Sequence, residues 1–162
     1  MNKALRKKLI WGALVLLWMC FIFWMSATPG EESNSMSGEV TDLLRRIFFK
    51  HWDSLTADEL AVQKSLLKHL VRKFAHYTEY MILGIFMGGF FSQFKLRYFP
   101  RLIFPILIGA LYALSDEWHQ SFVDGRAMQA FDVFIDSFGV VTGTFIGVGI
   151  LASVMLFRER RA

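Results

Sequence analysis

The sequence predicts an all-α, polytopic membrane protein. It reads as a single domain over residues 1–162, a bundle of four transmembrane helices with amphipathic interfacial helices between the first and second. Three observations predict this. Apolar residues make up 54% of the chain and mean hydropathy is +0.39, high for a soluble protein. The apolar residues gather in blocks of membrane length, flanked by basic residues. Polar residues within the later blocks recur three or four positions apart, the spacing of one helix face.

The first span is predicted at about 9–27. It follows the basic stretch MNKALRKK, carries no charge, and is long for a signal-peptide core with no A-x-A site after it, so a retained helix is expected. Pro29-Gly30 ends it. The serines at 33, 35 and 37 then read as a helix-capping loop. An extracytoplasmic amphipathic segment is expected over 39–72, as two helices lying on the membrane surface. Val40, Leu43, Leu44, Ile47 and Phe48 share one face of the first, and Thr56 with Glu59 reads as the capping box of the second.

The remaining spans are predicted at about 74–92, 102–120 and 132–157. Gly84, Gly88 and Gly89 allow close helix approach in the second span, and Gly139, Gly143 and Gly147 form a doubled small-residue motif in the fourth. Four spans bring the basic N-terminus, the basic 93–101 loop and the basic C-terminal tail to one side, the cytoplasm. The loop from 28 to 73 has seven basic residues and cuts against this, although its length weakens the objection. The expected location is the cytoplasmic membrane of a bacterium, with both termini inside. The net charge of +4 sits mostly at the flanks of the apolar blocks, so no nucleic-acid partner is expected. Cys20 is the lone cysteine and can form no disulfide within one chain.

This topology gathers polar groups from three helices at the outer end of the bundle. Arg72, Lys73, His76, Glu79 and Tyr80 belong to the second span; Asp116, Glu117, His119 and Gln120 to the third; Asp132 and Asp136 to the fourth. Arg126 lies in the loop between the last two. Ionisable groups at membrane depth are costly, and are functional by default. Three chemistries fit them. A metal site could draw on His76-x-x-Glu79, Asp116-x-x-His119, Asp132 and Asp136. Coupled acids and imidazoles could do general acid/base work on a lipid head group. Arg72, Lys73 and Arg126, with Gln120 and Tyr80, could bind an anionic group. Against all three stands an internal salt-bridge network holding the helices, a role that apolar packing fills better.

These residues resemble the VanZ-like family of bacterial membrane proteins. The likeness runs through Ser26-Ala27-Thr28-Pro29-Gly30 with Ser33 and Ser37, and through Arg72-Lys73-Phe74-Ala75-His76-Tyr77-Thr78-Glu79-Tyr80. It is strongest in Ala113-x-x-Asp116-Glu117-x-His119-Gln120, Gly125-Arg126, Asp132-Val133 and Asp136-x-x-Gly139. Ala127-Met128 stands where an Arg-Ser type of continuation is expected. The resemblance implies a polytopic helical protein of the cytoplasmic membrane, and the family's namesake is associated with resistance to teicoplanin. The expected function is therefore to bind or act on an anionic lipid-linked cell-envelope component, with a contribution to glycopeptide resistance. In that reading His76, Glu79, Asp116, Glu117, His119, Asp132 and Asp136 shape the site and carry any chemistry, and the partners are membrane lipids, lipid-linked cell-wall precursor or lipoglycopeptide. The alternative is a non-enzymatic membrane protein that masks precursor or binds lipoglycopeptide.

Overall fold

A computed structural model describes residues 2–159. Among the described residues the chain is all helical. Helix α1 is Lys3–Ser26, α2 is Gly30–Phe48, α3 is Ala57–Phe91, α4 is Tyr98–Gln120 and α5 is Ala130–Glu159, with a short 3-10 turn at Lys50–Ser54.

Two expectations about the segment 39–72 are corrected. Its first helix starts at Gly30, not at residue 39, so the serines at 33, 35 and 37 are helical rather than a loop. Pro29 holds the N-cap position, and Glu31 and Glu32 in the first turn favour the positive end of the helix dipole. Ser37 and Thr41 donate their hydroxyls back to the carbonyls of Ser33 and Ser37, which keeps these hydroxyl side chains compatible with a helix. The second helix is not separate from the second span: residues 57–72 and 74–91 are one 35-residue helix, α3. Thr56 and Glu59 form the capping box that starts it. No proline or glycine then interrupts the chain until Gly84, so nothing stops the helix where amphipathic sequence gives way to apolar.

Among the described residues three helices are long and apolar enough to cross a membrane: Lys3–Ser26, Tyr98–Gln120 and Ala130–Val154. The expectation of four such spans is not met on composition, because His76, Tyr77, Glu79 and Tyr80 dilute the second half of α3. Position accounts for this. Helix α3 packs against α1, α2, α4 and α5, so it is the centre of the bundle. Tyr80, Leu83, Gly84, Met87, Gly88 and Gly89 of its second half are all buried. A central helix meets neighbouring helices rather than lipid and can carry polar residues. Large apolar side chains instead cover the outside of α1, α4 and α5, among them Leu16, Leu17, Leu107, Leu111, Phe134 and Phe138.

The tightest contact is between α3 and α5. A methyl group on Gly139, Gly143 or Gly147 would run into the α3 backbone at Tyr77, Met81 or Ile85. On the other side, Gly84 and Gly88 of α3 face the backbone of Val140 and Thr144. Small residues on both helices thus bring two backbones together, as small-residue motifs do in membranes. The glycine stripe serves packing inside the chain.

Candidate functional site

One end of the bundle is drawn together by a backbone clasp. Gly30 N–H, at the start of α2, donates to the carbonyl of Asp124 in the α4–α5 loop at 2.9 Å. A side chain on Gly30 would strike the backbone of Gly125, and Gly125 itself has a φ of 71°, where glycine is favoured. The clasp fixes Arg126, the next residue, against the end of α1: Arg126 donates to the carbonyl of Met25 at 3.4 Å and to Oε1 of Gln120 at 3.0 Å. Gln120 in turn donates to Asp116 at 3.2 Å. Burial, then the like charge of Arg72, pull the Arg126 guanidinium below its ordinary pKa, with Asp116, Glu117 and Glu79 opposing.

Below this relay lies a cavity of about 170 Å³ between α1, α2, α3 and α4. One wall is polar: Arg72, His76 and Glu79 of α3, Asp116 and Gln120 of α4, and Arg126. The other is apolar with hydroxyls: Ile22, Met25, Met36, Val40 and Val71, with Ser26, Ser33 and Ser37. The serines were legible in the sequence only as capping residues. Their recurrence at helical spacing, 33 and 37, was the signal that they share a face. Among the described residues Arg72 has no ion-pair partner.

The other expected site residues lie elsewhere. Lys73 is buried and ion-paired with the equally buried Asp132, and also donates to Gln129 at 3.3 Å. It is therefore engaged inside the bundle rather than free to hold a ligand. Tyr80 is wholly buried and packs beside Tyr112, outside the cavity lining. His119 stacks on Phe23 of α1, with ring centroids 4.3 Å apart, and also lies outside the lining. Glu117 and Asp136 are wholly buried behind the polar wall. Glu117 accepts from the backbone of Gln129 at 3.0 Å, and Asp136 lies 3.6 Å from Nδ1 of His76. The sequence paired candidate ligands along single helices, as in His76-x-x-Glu79. The structure instead joins one side chain from each of α3, α4 and α5: His76, Glu117 and Asp136.

The cavity can bind an anion through two arginines and offers an imidazole and two carboxylates beside it for proton transfer. Its volume is below the roughly 300–1,000 Å³ of clefts that enclose drug-sized molecules, so it has room only for a small group.

No curated protein and no solved structure matches the chain significantly. The profile of the VanZ/LLP1 family matches residues 11–154, which take in the cavity, the clasp and all of the polar residues above. With nearly its whole length matched, the chain belongs to the VanZ/LLP1 family of proteins.

Proposed function

We propose that this protein holds the anionic head group of a lipid-linked cell-envelope component in the cavity, from the outer leaflet of the bacterial cytoplasmic membrane. The second half of α3 is then the fourth span, shielded from lipid by its neighbours. Four spans put the basic ends of the chain together on the cytoplasmic side and the cavity on the outer side. Helix α2 and residues 57–72 lie along the outer interface. Their exposed apolar side chains support this: Val40, Leu43 and Ile47 on one, Val62, Leu66 and Leu70 on the other.

The observation that carries the reading is the two-sided lining. Arg72 and Arg126 stand on one wall, near enough for their charges to oppose each other, and an anion between them relieves that repulsion. The opposite wall is apolar and suits the start of a lipid tail. His76, Glu79 and Asp116 are the groups placed to move a proton at a bound head group. A second reading, a binder that masks precursor without converting it, is favoured by the engagement of Lys73, Asp132 and Gln129 with one another, which leaves fewer groups for chemistry. Occupancy of lipid-linked precursor is also the route by which such a protein contributes to resistance of the teicoplanin type.

The test is native mass spectrometry of purified protein with a polyprenyl phosphate and with a neutral lipid of equal tail length. The anionic lipid is expected to stay bound, and Arg126→Ala to weaken it by about tenfold or more, the worth of one charge-assisted contact of 1.5–3 kcal/mol. Equal retention of the two lipids would sink the proposal. Incubating the bound lipid and looking for a changed mass then separates enzyme from binder.

A further inference from the structure

Behind the polar wall, three helices each bring one ionisable side chain to a common point. His76 of α3, Glu117 of α4 and Asp136 of α5 offer donor atoms that all lie within 4.8 Å of one another. Glu117 and Asp136 both have 0% exposure. Both carboxylate oxygens of Asp136, Oε1 of Glu117 and Nδ1 of His76 are buried without a hydrogen bond among the described residues; His76 Nδ1 and Asp136 Oδ1 stand 3.6 Å apart, an ion pair when the imidazole is protonated. Some polar atoms around them are satisfied, although Tyr80 Oη and Asp116 Oδ1 are buried without a hydrogen-bond partner as well. Glu117 Oε2 takes the Gln129 N–H, and Asp132, one turn from Asp136, takes the Lys73 ammonium.

Buried polar atoms of native proteins find partners, and a buried carboxylate without one is costly. Two carboxylates this close also repel. A single cation between the three side chains removes every one of these penalties together. In a tetrahedral site donors about 2.0–2.2 Å from the ion lie about 3.3–3.6 Å from one another, so a spacing of up to 4.8 Å has to close by up to about 1.5 Å when an ion binds. One imidazole with two carboxylates suits zinc, manganese or ferrous iron better than calcium or magnesium, which take oxygen donors.

We propose that His76, Glu117 and Asp136 form a binding site for one divalent transition-metal ion, set in the centre of the bundle. Three protein ligands leave a further coordination position for water or a substrate atom. Because His76 also lines the cavity, an ion here lies one side chain away from a head group held by Arg72 and Arg126. Ion binding itself does not depend on the identity of that head group.

The experiment uses tag-free, full-length protein purified in detergent without chelators. Elemental analysis is expected to find about one zinc, manganese or iron per chain. Protein stripped with chelator is then titrated with zinc and with manganese by calorimetry. Wild type and His119→Ala should bind alike, because His119 lies on Phe23 and outside the triad. Glu117→Gln and Asp136→Asn should each weaken binding by at least about tenfold, since even an outer-shell change has that effect. The stripped wild type gives an answer even where a variant fails to fold, and circular dichroism identifies such a variant. Wild type that carries no ion and shows no saturable binding of either metal overturns the proposal. So does unchanged affinity in folded Glu117→Gln and Asp136→Asn.

Discussion

Gly143→Ala tests the packing that positions every polar group in this bundle. The added methyl would collide with the Met81 carbonyl oxygen and lie 2.8 Å from its carbon and 2.9 Å from the Ile85 nitrogen. Carbon contacts are comfortable at about 3.5–4.0 Å, so the shortfall at the Met81 carbon alone is about 0.7–1.2 Å, and it is larger at the oxygen. The neighbours are backbone atoms and cannot rotate away. Either α3 and α5 move apart, loosening Gly139 and Gly147 as well, or the helix bends. Overpacking of this kind costs about 1–3 kcal/mol, and a rigid neighbour puts this case toward the upper end. Alanine returns up to about 1 kcal/mol as the better helix former. The net loss is about 1–2 kcal/mol. Gly149 is the internal control, because a methyl there meets nothing within 4 Å. Gly149→Ala keeps only the propensity gain. The two variants should therefore differ by about 2–3 kcal/mol, or about 5–10 °C in Tm at this chain length. Thermal unfolding in detergent, followed by circular dichroism, measures it. Unchanged Tm in Gly143→Ala with a fall in Gly149→Ala would refute the reasoning, since the stripe would then not be the internal packing face.

Three further outcomes follow from the same geometry. Lys73→Met or Asp132→Leu alone should cost about 3–5 kcal/mol by stranding a buried charge, while the two together should recover most of it; the double-mutant cycle reads the coupling. Gly125→Ala should cost about 1–2 kcal/mol through its left-handed φ and, by shifting the clasp, weaken anionic-lipid binding more than it lowers Tm. The half-exposed Lys64–Asp42 pair between α3 and α2, 2.9 Å apart, is worth at most about 1 kcal/mol. Its hydrogen bond to Lys64 holds the Asp42 carboxyl below its ordinary pKa, so this contribution is complete above pH about 4 and fades as pH falls through the lowered value. Lys64→Ala should abolish that part of the pH dependence of Tm.

Much of the bundle was legible because membrane helices announce themselves locally. Uninterrupted apolar runs marked α1, α4 and α5, and the glycine repeat on α5 named its packing face before its partner was known. Helix α3 was harder. Its amphipathic first half and diluted second half look like two elements, and only the absence of any breaker near Lys73 hints that they are one. The serines of α2 favour caps and turns by nature; within the helix Ser37 instead donates back to the Ser33 carbonyl, as Thr41 does to that of Ser37. The recurrence of polar residues toward one end of three helices was legible in the sequence. Their internal partition was not, because which residue of Asp116, Glu117 and His119 points where depends on the rotation of α4 about its axis. That rotation sends Asp116 to the cavity, Glu117 to Asp136 and His76, and His119 to Phe23.

The central claim is an outward-opening cavity that takes an anionic lipid, and one labelling measurement addresses it directly. Ser33 lines the cavity on its α2 wall, and Cys20, the native cysteine, is replaced by serine so that Ser33→Cys carries the only thiol. Intact cells or right-side-out vesicles are treated with a membrane-impermeant maleimide, with and without added polyprenyl phosphate. The account predicts labelling from the outer face, and slower labelling with the anionic lipid but not with a neutral lipid of the same tail. Labelling only after the membrane is opened, or equal protection by both lipids, would contradict it.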